Sequence, residues 1–224
     1  MKKFILQNKI YYALIFSLIF GNLLNAQKAA FGVRVMPTFS NFNLKTNKGG
    51  TVKGEANLGF GAGILLGVNF NQNVSINGEL MYSIYSQRYT EKNLDRKITL
   101  RYINIPLMLS LNTGITKPVN FNITGGPQIG ISAGSTFTTK GGDGTETYNA
   151  VVIRKGDLGF AYGAGLDFAL NVPKTVRFAL GFRGVLGLID ISADNNNLIN
   201  DDYYVFDRVR LKTYSIYFGF TFLI

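Results

Sequence analysis

The residues able to do chemistry in this chain are few, and most are single charged groups set among small or apolar neighbours. Arg34, Glu79, Asp167, Arg177 and Arg183 each stand in a segment that otherwise alternates Gly, Ser, Asn or Thr with apolar residues. A pair of carboxylates such as Glu79 and Asp167 is the raw material of general acid–base catalysis. The chain has no His and no Cys, so the Ser–His, Cys–His and thiolate arrangements that activate a nucleophile are missing. The expected role of the five charges is mutual. Charges enclosed in a protein must pair, so they are read as a salt-bridged network inside the fold, with no catalytic residue assigned.

Two further stretches invite a ligand. GFGAGILLG suggests a phosphate-binding loop, but its glycines alternate with apolar residues and no helix follows to supply the N-terminal amides. In DISADNNNLINDD, Asp190, Asp194, Asp201 and Asp202 offer hard oxygen ligands of the kind calcium takes. Leu198 occupies what would be a ligand position and no Gly follows, so a solvated Asn/Asp loop is expected. Neither metal nor cofactor is assigned.

The elements that carry these residues are strands. In LGFGAGILLGVNF every even position from Leu58 to Phe70 is apolar, while the odd positions are small or polar except for Leu65. A period of two is the mark of a strand with one greasy face. The same alternation runs through FGVRVMPTF, VSINGELMYSIYSQR, LRYINIPLMLSL, VNFNITGGPQIGISAG, DLGFAYGAGLDFAL, VRFALGFRGVLGL and the terminal KTYSIYFGFTFLI. Eight such segments are each long enough to cross a bilayer when tilted, which takes about 9–11 residues. Their connections are unequal: NQN, NTGITKP and NVPKT are short, whereas 41–55, 89–97, 135–156 and 190–207 are long. That asymmetry predicts an all-β fold, an eight-stranded antiparallel up-and-down transmembrane β-barrel. The long loops would lie outside the cell and both mature termini in the periplasm. In a water-soluble sandwich the polar faces would carry far more Lys and Glu than these do. The lumen of so small a barrel is expected to be filled by side chains, with glycines making room for the large ones.

Residues 1–26 read as a cleaved secretory signal, with Lys2, Lys3 and Lys9 ahead of an apolar run at 10–24 and the small Ala26 before the cut. The barrel domain is then 27–224. Loss of the signal takes the formal charge from +10 to +7, a modest excess that gives no ground for a nucleic-acid partner. Its placement is more informative. Arg88, Arg101, Arg208, Arg210 and Lys212 all fall on the lipid-facing register at the outer strand ends. This basic collar is expected to meet phosphates of the outer-leaflet glycolipid, because cations are tolerated at the interface and costly at the midplane.

RYINIPLMLSL, NITGGPQIGIS, DLGFAYGAGLDF, RFALGFRGVLGL and KTYSIYFGFTFLI resemble the small outer-membrane barrels of Bacteroidota known as porin-family or PorT-like proteins. The resemblance spans essentially the mature chain and implies an integral outer-membrane location. It permits a role as accessory to a protein secretion and gliding apparatus, with envelope proteins as partners. Beside it stand a non-enzymatic envelope protein that binds through its loops, and a narrow diffusion channel.

Overall fold

The computed structural model describes residues 28–46, 51–52, 55–91, 94–141, 144–148, 155–191 and 206–224. The signal expected at 1–26 lies outside them. Ten strands occur among the described residues: β1 (Lys28–Thr46), β2 (Thr51–Val52), β3 (Glu55–Asn69), β4 (Val74–Glu91), β5 (Leu94–Asn112), β6 (Val119–Gly141), β7 (Gly144–Tyr148), β8 (Gly156–Ala169), β9 (Val176–Gly187) and β10 (Phe206–Leu223). Eight of them form the wall in the order β1-β3-β4-β5-β6-β8-β9-β10, each antiparallel to the next. The ring closes where β10 pairs with β1, from Ala30↔Leu223 to Thr46↔Phe206. The terminal apolar segment therefore seals the barrel and leaves no open edge along this seam. β2 and β7 are short additions to the far ends of β1 and β6.

Strand parity decides which side chains go where. On β3, Leu58, Phe60, Ile64, Leu66 and Val68 point outward and are exposed, and on β10 so do Tyr214, Ile216, Phe218, Phe220 and Phe222. The inward positions of β10, Thr213, Ser215 and Tyr217, are buried, as are Ser40, Gln87, Asn104 and Asn120 on other strands. The molecule is thus inside-out relative to a soluble domain. Outer aromatic rings lie against one another: Phe178 and Phe220 at 5.6 Å between centroids, Phe182 and Tyr214 stacked at 6.2 Å.

The start of β1, the end of β10 and three short turns share one end of the barrel, where Lys28 pairs with Asn69 and Ile224 donates its amide to Ala29 O at 2.8 Å. Asn side chains build two of these turns. Asn71 Oδ1 accepts from the amides of Asn73 (2.7 Å) and Val74 (2.8 Å), and Asn171 Oδ1 from that of Val176 (3.0 Å), with Lys174 at φ 59° completing the reversal.

At the opposite end the strands run further than alternation suggests. The segment at 89–97, expected as a loop, continues the β4–β5 ladder up to Glu91↔Leu94. Within 135–156, β6 extends to Gly141 and turns back as β7. SQRYTE has no apolar alternation, and in LDRKIT only Leu94 and Ile98 share an apolar register, so backbone pairing is what marks these stretches as strand.

Candidate functional site: the barrel lumen

A carboxylate clamped between two guanidiniums occupies the middle of the lumen. Arg34 on β1 is opposed by Gly63 on β3 and Gly219 on β10. A Cβ at Gly219 would stand 2.9 Å from Arg34 Cγ, so glycine is what lets this long side chain lie along the wall. Arg34 reaches over β3 to Glu79 on β4, its Nη1 donating to Glu79 Oε1 at 2.5 Å. From across the barrel, Arg183 on β9 makes a two-pronged contact, Nη1 to Oε2 at 2.5 Å and Nη2 to Oε1 at 2.8 Å. The Glu79 side chain is 0% exposed.

Tyr217 completes this plug. Its ring centroid is 4.5 Å from Arg34 Cζ and 5.7 Å from Arg183 Cζ, placing both cations within cation–π reach of one ring. Gly181 and Gly165 lie beside it in one cross-strand row. A Cβ on Gly181 would fall 2.5 Å from Tyr217 Oη, and one on Gly165 would run into the same hydroxyl. Met36, Met81 and Ala179 pack around the ring.

The five charges singled out from the sequence fall into two groups. Arg34, Glu79 and Arg183 meet directly. Nearer the turn end, Asp167 Oδ2 accepts from Asn120 Nδ2 and Asn122 Nδ2, both at 2.9 Å. Arg177 Nη2 donates instead to the Asp167 backbone carbonyl at 3.0 Å. On the other side of the plug, Asn104 Nδ2 donates to Ser83 Oγ (3.0 Å) and Tyr85 Oη (2.8 Å), and Gln128 Nε2 donates to Asn104 Oδ1 (3.3 Å). Sequence reasoning put Tyr217, Asn104 and Asp157 on the inner register without giving them a role. Parity was the only available signal, because it names the face but not the partner.

The plug separates two small cavities. One of about 10 Å³ lies among Thr38, Ser83, Tyr85, Asn104 and Gln128 on the hairpin side. The other, of about 50 Å³, lies on the turn side among Asn69, Asn77, Asn122, Asp167 and Arg177. A water needs roughly 10–15 Å³ on such a measure, so the first holds about one and the second a few. Among the described residues no three His, Cys, Asp or Glu side chains converge on a metal-binding point. Asp194, Asp201 and Asp202 lie outside the described residues.

The collar residues lie on the outer register near the hairpin end. Arg88 is exposed and sits opposite Lys97. Arg101, flanked by Ile84 and Gly134, donates from Nη1 to Thr136 Oγ1 at 3.0 Å. Arg210 is exposed and Lys212 half-buried on β10, opposite Asn43 and Asn41 of β1. Arg208 takes the register position opposite Lys45, and its side chain lies outside the described residues.

A closed sheet with an apolar exterior and a hydrogen-bonded polar interior satisfies every backbone group within the ring while offering lipid its greasy face. Such an object is an integral β-barrel of the outer membrane. Residues 25–193 match the outer membrane protein beta-barrel domain family, and the chain belongs to that family. Among solved structures, the outer membrane protein OprG from Pseudomonas aeruginosa is similar in fold, with a TM-score of 0.55 at 12% identity over 89% of this chain and 96% of that one. Neisserial surface protein A matches with a TM-score of 0.44 at 14% identity, covering 86% of this chain and 97% of that chain. Ail of Yersinia pestis matches at 0.37 and 14%, covering 87% and 98%. No curated protein sequence matches the chain.

Proposed function

We propose that this protein is a non-conducting, non-enzymatic barrel of the outer membrane that holds outer-leaflet glycolipid at its basic collar and offers its long hairpins to envelope partners. The observation that carries this reading is the occluded lumen. Among the described residues, Glu79, clamped by Arg34 and Arg183 over Tyr217, fills the middle of the lumen, with cavities of about 10 and 50 Å³ on its two sides. A diffusion channel needs a continuous wet path, and eight strands leave an interior just wide enough for side chains. Reconstituted in planar bilayers, the wild-type barrel is expected to give no discrete conductance steps. A steady open level that changes in Arg183→Ser or Glu79→Gln would move the reading to a channel.

The glycolipid contact rests on charge and depth. On β10 the outward apolar run from Tyr214 to Ile224 matches the roughly 9–11 residues that span the hydrocarbon. Lys212 and Arg210 follow at once, at headgroup height, where a cation meets phosphate at little desolvation cost. Replacing Arg208, Arg210 and Lys212 with Ser is expected to cut the glycolipid that co-purifies with the folded barrel by at least half. Unchanged lipid content in that variant would reduce the collar to ordinary snorkelling.

The long hairpins are assigned to the extracellular side and the short turns to the periplasm, following the usual asymmetry of such barrels. Cross-linking in native outer membranes followed by mass spectrometry tests the partner. Stoichiometric recovery of envelope proteins would favour the PorT-like secretion accessory that the sequence resembles. A barrel recovered with glycolipid alone would favour the stand-alone role.

A further inference from the structure

We propose that the turn-side cavity of the lumen is a binding site for one small monovalent anion, a halide, held by Arg177 and Arg34. The cavity has about 50 Å³ of space and is lined by both arginines together with Asn77, Asn122, Asp167 and Thr221. Arg177 is 2% exposed and spends only Nη2 on a protein acceptor, the Asp167 carbonyl. Its Nε and Nη1 find no acceptor among the described residues, and neither does Arg34 Nε. The nearby carboxylates are already engaged. Asp167 Oδ2 takes two amides, and Glu79 spends both its oxygens on Arg34 and Arg183.

The charge count points the same way. Among the described residues from the plug to the turn end, the lumenal side chains Arg34, Arg177 and Arg183 face Glu79 and Asp167, one positive charge in excess. The third lumenal carboxylate, Asp157, sits at the hairpin end beside Gly130, beyond the plug. A few waters would satisfy the free N–H groups but leave that charge unbalanced inside a wall surrounded by hydrocarbon, where an uncompensated ion is costly. A single halide supplies both acceptor and charge. The space suits it, since the cavity holds only about three or four water-sized bodies. The site is independent of whether the barrel conducts.

The test uses the full mature barrel, folded in detergent. Crystals grown in sodium bromide are expected to show an anomalous peak within hydrogen-bond reach of Arg177 Nε. In solution the barrel is expected to melt at a higher temperature in bromide or chloride than in gluconate, which is too large to enter, at equal ionic strength. Arg177→Gln should abolish that difference while still running as a folded species on an unboiled gel. If Arg177→Gln does not fold, the wild-type anomalous map and the halide–gluconate comparison still decide. Absence of the peak, or a peak with no halide dependence of melting, overturns the site and leaves water only or an adventitious ion only.

Discussion

Glu79→Ala is expected to lower the stability of the folded barrel by about 3–5 kcal/mol, seen as a lower urea midpoint when folded and unfolded species are separated by gel mobility. The size of the effect follows from what remains. Two guanidiniums that met one fully buried carboxylate through contacts of 2.5, 2.5 and 2.8 Å would face each other over Tyr217 with no counter-charge. Little water is at hand to replace it, since the Arg183 side chain is 3% exposed, the Arg34 side chain 11%, and the adjoining cavities hold only a few water-sized bodies. Removing all three charges together, as Arg34→Met, Glu79→Leu and Arg183→Met, is expected to recover most of the loss, because the penalty belongs to the orphaned charge. A Glu79→Ala midpoint within error of wild type would mean that water reaches the pair, and the occluded lumen would have to be abandoned.

The second large effect is expected at a residue with no side chain. Gly165→Ala should destabilise by about 1–3 kcal/mol, the usual cost of overfilling a packed interior. The added methyl would collide with the Tyr217 hydroxyl, and the ring is held in place by the two arginines and by Met36, Met81 and Ala179. In a Tyr217→Leu background the same substitution should be nearly silent, so a double-mutant cycle reads the contact directly. Additive losses in the two variants would show that Gly165 is needed for some other reason than room for Tyr217.

Glycine makes room in the crowded lumen as the sequence led one to expect, and the structure names the side chain that each one accommodates. The Gly-rich segment of β3 accommodates Met81, since a Cβ at Gly63 would lie 2.5 Å from Met81 Sδ. That of β8, through Gly165, together with Gly181 of β9 accommodates Tyr217. Arg34 owes its space to Gly219 on the closing strand. Each of these pairings crosses between strands, Gly165 of β8 reaching past β9 to Tyr217 of β10, and its register depends on the bends and bulges of the whole ring, such as the shift between Arg101 and Tyr102. Alternation within one strand carries no information about that register.

What the sequence by itself determined is the inside and outside of the barrel. Period-two alternation is local, and it assigned the exposed Phe60, Ile64, Phe218 and Phe222 and the buried Ser75, Glu79, Arg177 and Arg183 to their correct faces. It also set the count of wall strands at eight, because each crossing has to be long enough for a bilayer. The tertiary structure alone decided which lumenal groups meet. Arg34 and Glu79 are 45 residues apart and Arg183 and Glu79 are 104 apart, so their contact follows from ring closure and stagger rather than from spacing. It alone split the five charges into a plug of two arginines on one carboxylate and a turn-side pair, Asp167 and Arg177. It alone extended β4, β5 and β6 beyond the apolar band, where alternation fades and hydrogen bonds between strands hold the chain extended.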